Sequence, residues 1–265
     1  MVKQIENSVH IKSRDNALST ISNTLIQARY DLSLVEKRLL YLFISGINND
    51  IGAKNGEVYD NLEVISSDKV YSLNIQYYAE TYNIDYETAK DELEQAVDSL
   101  FQKEITYVGE DNELITTRWI SSKIKYTKGE HTLALKWAND IIPFISELRE
   151  GNFTSYHIKF LCTLPSVYSL RLYELFYMEL RKSKKRSTIV ELEVSKIRSM
   201  LEIGNKYPLF NNFMQRVVED PIKLINNDGN CNINISVMDE NGKKMYRKVG
   251  KKVIGIRFIV NWRKL

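Results

Sequence analysis

Cysteine, proline and histidine are scarce in this 265-residue chain, with two, four and three copies respectively. Cys162 and Cys231 stand apart from each other and from any second metal ligand in the sequence. Each is therefore expected as a buried, reduced thiol. Four prolines argue against long disordered tracts. His10, His131 and His157 are too dispersed for a zinc site or for the paired-histidine metal site of a DNA-nicking enzyme. No run approaches the roughly 20 uncharged apolar residues that a membrane helix needs. The opening stretch, Met1 to Asn16, is polar and carries no apolar signal-peptide core. The expectation is a soluble, cytoplasmic protein without membrane contacts. Also missing are G-x-x-x-x-G-K-[ST] and G-x-G-x-x-G, the loops that cradle nucleotide phosphates. Tyrosines are plentiful, but a nucleophile without metal ligands or a base is not a site. No catalytic residue, metal or cofactor is expected.

Apolar residues make up 43% of the chain, enough at this length for one large domain or two ordinary ones. The net charge of +3 hides an asymmetry. Residues 1–150 hold 16 Lys+Arg and 24 Asp+Glu, a net −8, whereas residues 151–265 hold 21 and 10, a net +11. One basic half suits a polyanion and the acidic half suits something else.

Local patterns give an order of elements. Residues 1–17 read as a flexible polar arm. Ser33 and Glu36 form a capping box, after which Val35, Leu39, Leu42 and Phe43 recur at helical spacing. Residues 57–73 alternate weakly and suggest a short strand. Helical segments follow over 74–82 and 86–102, the second capped by Asp85. Strands are expected over 105–108, 114–126 and 132–137, with a turn at 109–112 and a short helix over 141–148. Residues 153–161 read as β-like and 166–182 as a helix. Next come a strand over 189–194, a short helix capped by Ser195, and a longer helix over 208–225 with Pro208 in its first turn. Cys231, Ile233, Ile235 and Val237 alternate with polar residues, as do Ile254, Ile256, Phe258 and Val260, which gives a hairpin with one buried face. Helix, helix, hairpin thus occurs twice. The implied fold class is α+β, two tandem winged helix-turn-helix domains, over 18–150 and 151–265.

The helix over 208–225 carries the most information. Phe210, Phe213, Met214, Val217 and Pro221 take the inward positions, and Pro221 should bend or interrupt the helix. Asn211, Asn212, Gln215, Arg216, Glu219 and Lys223 take the outward ones. Asn and Gln pair bidentately with adenine, and Arg with guanine, so this face suits the major groove. An ordinary solvated face is the alternative. Arg198 and Lys206, just upstream, are grouped with the DNA-facing residues. The hairpin connection concentrates Lys243, Lys244, Arg247, Lys248, Lys251 and Lys252. That cluster fits phosphate contact from a wing, or else a lysine-protected sheet edge. In the first half the matching helix presents Glu87, Asp91, Glu94 and Asp98. Such a row repels phosphates and fits a protein partner or simple solvation. Arg118, Lys123, Lys125 and Lys128, on the neighbouring β segment, remain candidates for the DNA backbone.

Several segments resemble the iteron-binding plasmid replication initiators. They are the run from Asn23 to Phe43 (NTLIQARYDLSLVEKRLLYLF), Arg118-Trp119, FTSY from Phe153, YSLRLYEL from Tyr168, and the stretch from Tyr207 through Phe213 to Ile225-Asn226 and on to Phe258. Their order and spacing cover nearly the whole chain from about residue 20. The resemblance implies two winged-helix domains, with the main base contacts in the C-terminal one. It also implies binding of repeated double-stranded origin DNA, help in opening the duplex, and recruitment of a host replication initiator, a helicase and chaperones. Self-association in a monomer–dimer equilibrium, with repression of its own synthesis, completes the expectation. A winged-helix transcriptional repressor is the first rival reading, and a rolling-circle nicking enzyme the second.

Overall fold

A computed structural model describes residues 8–11, 17–50, 65–125, 131–146, 148, 152–239 and 241–263. The chain divides into two compact units, Met1–Leu25 with Leu32–Cys162, and Ile26–Asp31 with Thr163–Leu265.

The first unit opens with strands β1 (Ser8–Ile11) and β2 (Leu18–Ser22), then helices α1 (Asn23–Gln27) and α2 (Leu34–Asp50). Part of the expected loose arm is thus ordered as β1, because Ile11 is buried against α2. Gly46 makes room for it, since a Cβ there would lie 2.2 Å from Ile11 Cδ1. Residues 1–7 and 12–16 of that arm lie outside the described residues. The capping box forms at the start of α2: the Ser33 N–H donates to Glu36 Oε2 at 2.6 Å and the Glu36 N–H to Ser33 Oγ at 3.2 Å. Strand β3 (Val70–Asn74) leads into α3 (Ile75–Tyr82) and α4 (Tyr86–Leu100). Asn83, in the left-handed region at φ 52°, caps the end of α3. The Thr88 N–H donates to Asp85 Oδ1 at 2.9 Å and opens α4. The remaining expected strand over 57–64 lies outside the described residues.

A separate hairpin, β4 (Glu104–Val108) and β5 (Leu114–Arg118), comes before β6 (Ile120–Lys125) and β7 (Thr132–Trp137). The main sheet runs β1-β3-β7-β6. Trp137 stands edge-on to Phe43 and to Tyr71, with ring centroids 6.4 Å away in each case. A short 3-10 turn (Asn139–Ile141) and α5 (Ile142–Ile145) follow, then β8 (Phe153–His157) and α6 (Ile158–Leu161). Strand β8 pairs with β2, Leu18 opposite His157. Residues 153–161 therefore sit with the first unit, and the division falls after Cys162 rather than at 150/151.

The second unit runs α7 (Val167–Ser183), β9 (Ser187–Glu193), α8 (Val194–Met200), α9 (Phe210–Phe213), a π-helical turn (Met214–Glu219) and α10 (Asp220–Asn227), then β10 (Ile233–Ser236), β11 (Tyr246–Val249) and β12 (Lys252–Trp262). Ser166 caps α7. Helix α8 starts one residue earlier than its expected Ser195 cap, because β9 stays paired with β12 up to Glu193 and the chain turns straight into the helix. Leu209 is the residue before α9, so Pro208 lies outside the first turn. Strand β12 is central: β10 pairs with its far half, β11 with its near half, and β9 along its other edge. Phe176 on α7 packs on Phe258 of β12 at 4.7 Å. No helix among the described residues is long and apolar enough to cross a membrane.

Candidate nucleic-acid interface

The helical run over 210–227 departs from ideal α geometry in a way that organises its outer face. Its buried positions repeat every four residues, as Phe213, Val217, Pro221 and Ile225, with Met214, Val218 and Ile222 beside them. An α-helix turns in 3.6 residues, so a four-residue stripe would drift around it. The wider π turn over Met214–Glu219 removes that drift. Pro221 supplies the cause, since it cannot donate the N–H that an α-helix would direct at the Val217 carbonyl. The expected interruption at Pro221 is thus a widening just upstream of it. The outward positions fall in two rows with the same step: Asn211, Gln215, Glu219, Lys223 and Asn212, Arg216, Asp220, Leu224.

The near end of these rows carries the amides and one guanidinium. Asn211, Asn212, Gln215 and Arg216 are all exposed. Arg216 comes within 3.8 Å of Asp220 Oδ2, but its side chain is 64% exposed. Water screens such a pair, and a ligand can displace it. The far end is acidic and internally paired. Lys223 lies 3.9 Å from Asp220, and Lys244 bonds Glu219. That bond raises the Lys244 ammonium above the usual lysine range.

The wing is the hairpin of β11 and β12, closed by Gly250-Lys251. Gly250 has φ 59°, as the first position of a two-residue type II′ hairpin loop demands. Lys248, Lys251 and Lys252 are exposed around this tip, and Lys243 is exposed at the wing's root. Phe210, expected to point inward, is half-buried and stands edge-on to Tyr246 at 5.5 Å. Together with Lys244–Glu219, this contact fastens the wing's root to the helix.

Besides Lys244, two residues of the second unit grouped with the DNA-facing set are otherwise engaged. Arg247 reaches across β12 to Glu193 at 2.9 Å and to Glu191 at 2.6 Å. Glu191 also holds Arg257 at 2.7 Å, which keeps its carboxyl below the usual range. Gly255 lies between the partners, and a Cβ there would come within 3.1 Å of Arg247 Nε. The sequence shows the carboxylates but not the register that places them beside Arg247. Arg198 is turned toward its own backbone. Its guanidinium donates to Gly204 O at 3.2 Å, Lys206 O at 2.8 Å and Tyr207 O, and lies over the Phe213 ring at 4.7 Å. Lys206 itself is exposed in that turn.

In the first unit the corresponding helix is α4. Glu87, Asp91 and Glu94 are exposed along it, while Asp98 is half-buried and bonds Lys123 Nζ at 2.6 Å. Two residues assigned to different surfaces thus neutralise each other. Arg118 donates to Phe101 O at 3.2 Å and lies, like Lys123, over the Phe101 ring. The Lys125 side chain and Lys128 lie outside the described residues. Among the described residues, no three of His, Cys, Asp and Glu gather as metal ligands do.

Comparison with known proteins decides the family. Residues 19–177 match the family described as "Initiator Replication protein, WH1", and residues 193–260 match "Initiator Rep protein, WH2". The chain belongs to the initiator replication protein family. The chain is 24% identical over 223 residues to a curated "Replication initiation protein" of Escherichia coli, covering 84% of this chain and 65% of that one. It therefore spans just under two thirds of that relative's length. The crystal structure of the Pi initiator protein in complex with iteron DNA matches with a TM-score of 0.68 at 20% identity, over 95% of this chain and 100% of that one. At that identity the likeness establishes the fold, two winged-helix domains. The second family match encloses the polar helix face and the wing of this family member.

Proposed function

We propose that this initiator binds repeated double-stranded DNA, iterons, at a plasmid origin in the cytoplasm. Asn211, Asn212, Gln215 and Arg216 read base edges in the major groove. Lys206, Lys223, Lys243, Lys248, Lys251 and Lys252 hold the backbone from the helix and the wing. The observation that carries this reading is the amide-and-arginine end of the helix over 210–227, with an exposed lysine wing fastened beside it. Recognition helices contact bases mainly through their N-terminal turns, and that is where these residues lie. The basic second half supplies the charge that non-specific attraction to phosphates needs. Duplex opening, recruitment of a host initiator, a helicase and chaperones, and a repressive dimer follow from the family resemblance. No catalytic step of its own is assigned.

Footprinting on DNA flanking its own gene tests the proposal. Several protected sites repeated at near-helical spacing are expected, in DNA that also supports plasmid replication in cells. A single protected inverted repeat, in DNA that does not support replication, would favour a repressor. A nicked or covalently joined product after incubation with divalent metal would favour an enzyme.

A further inference from the structure

The turn between α8 and α9 is built around one cation. Three of its residues, Glu202, Gly204 and Tyr207, take φ of 47°, 55° and 54°. Left-handed backbone is uncommon outside glycine, and two of these three are not glycine. Such a path turns carbonyls inward, and three of them converge on the Arg198 guanidinium. The same group lies over the ring of Phe213, the last residue of α9. A planar fork with five donors can span carbonyls several ångströms apart, whereas an ammonium is a single point of charge.

We infer that Arg198 is a positioning residue for base reading: it fixes the turn that sets where Asn211 and Asn212 begin and how the polar rows point. Its charge is spent on backbone carbonyls and a ring, so it is not a phosphate contact. The inference rests on the DNA-reading role proposed above and adds to it. It separates two cationic contributions that sequence places side by side, the clasp at Arg198 and the backbone contacts of the lysines.

The test uses the full chain with Arg198→Lys, which keeps the charge and loses the fork. Binding is measured to the footprinted repeat and to a scrambled duplex of equal length, across a salt series. Affinity for the repeat is expected to fall about tenfold or more, the scale of removing one base-reading pair. Affinity for the scrambled duplex and both salt slopes should stay as in the wild type. A variant that still prefers the repeat as strongly as the wild type would overturn the clasp alone. So would Arg198→Ala with a salt slope shallower by about 0.9, the signature of one phosphate set free. A wild type with no preference for the repeat would remove the DNA-reading role, and the clasp with it. If the lysine variant melts below assay temperature, Gly204→Ala strains the same turn without changing charge. Its Cβ meets nothing within 4 Å. It should show the same selective loss, and full retention of preference would again overturn the clasp.

Discussion

Helix α4 of the first unit and the helix over 210–227 of the second occupy the same place in the same kind of fold, yet they present opposite chemistry. Each is the second helix of a helix-turn-helix and each buries one apolar stripe. Helix α4 is regular, with Ala89, Leu93, Ala96, Val97 and Leu100 inward and three exposed carboxylates outward. The other is widened by its π turn and offers two asparagines, a glutamine and an arginine at its near end. Architecture alone therefore does not say which helix meets DNA; the proposed assignment rests on the outward side chains. A phosphate approaching α4 meets Glu87, Asp91 and Glu94, and two cations of the following strands, Arg118 and Lys123, are partly used up by Asp98 and Phe101.

The largest expected effect comes from the scaffold beneath the helix over 210–227. Arg171 on α7 and its neighbour Glu174 are both buried, 3.7 Å apart. The Arg171 guanidinium donates to Ile26 O at 3.2 Å, Ala28 O at 2.8 Å and Met200 O at 3.2 Å, and it lies over the Tyr30 ring. Within the second unit it thereby ties the segment Ile26–Asp31 and the end of α8 to α7. Arg171→Leu removes the cation beside a buried carboxylate and the donor shared by three carbonyls, and should cost about 3–5 kcal/mol. Denaturant unfolding checks this. A loss below about 1 kcal/mol would mean that the pair behaves like a solvated one.

Next in size is base reading. Arg216→Ala should cost about 1–3 kcal/mol on the correct site and relax one base position. Binding-site selection with wild type and variant would expose an unchanged consensus and affinity, which would remove Arg216 from the reading set. Transferring the comparison to the wing gives a smaller effect per residue. Neutralising Lys248, Lys251 and Lys252 together should weaken specific and non-specific binding alike. The log–log salt slope should become shallower by about 0.9 for each phosphate no longer neutralised. An unchanged slope would make the wing a solvated sheet edge.

Much of the fold is legible from local patterns. The Ser33–Glu36 box and the Asp85 cap depend on residues three apart, and both form as the spacing implies. The alternation around Ile233 and Ile256 locates β10 and β12 because burial on one face imposes a period of two. What local patterns miss is non-local. The pairing of β8 with β2 joins residues on opposite sides of the first unit's sequence, and no spacing rule reaches that far. The ion cluster of Arg247, Glu191 and Glu193 depends on register across β12. Arg198 reads as one more basic residue near a DNA-facing helix until the left-handed turn brings carbonyls to it. The π turn is hidden for a different reason. A regular helix has 3.6 residues per turn, and apolar steps of four are compatible with it over the first two turns. Only the third and fourth repeats, Pro221 and Ile225, separate the two geometries.

The smallest expected effect is the one that sharpens the comparison most. Glu87, Asp91 and Glu94 lie exposed along α4, while Asp98 is occupied by Lys123 and is best left alone. Replacing the first three with Gln removes three negative charges without touching the buried stripe or the Asp85 cap. If α4 faces away from DNA, iteron affinity should be unchanged or slightly higher, and more so at low salt, where long-range repulsion is least screened. If the row orients a protein partner, charge complementarity is lost, and the monomer–dimer balance should shift or plasmid maintenance should fail. A solvated face would leave all of these as they were. Sedimentation, DNA binding and plasmid maintenance measured on one triple variant separate the cases. A large drop in iteron affinity with normal folding and assembly would show that α4 reads DNA after all, and the contrast between the two helices would then be one of sequence preference rather than of role.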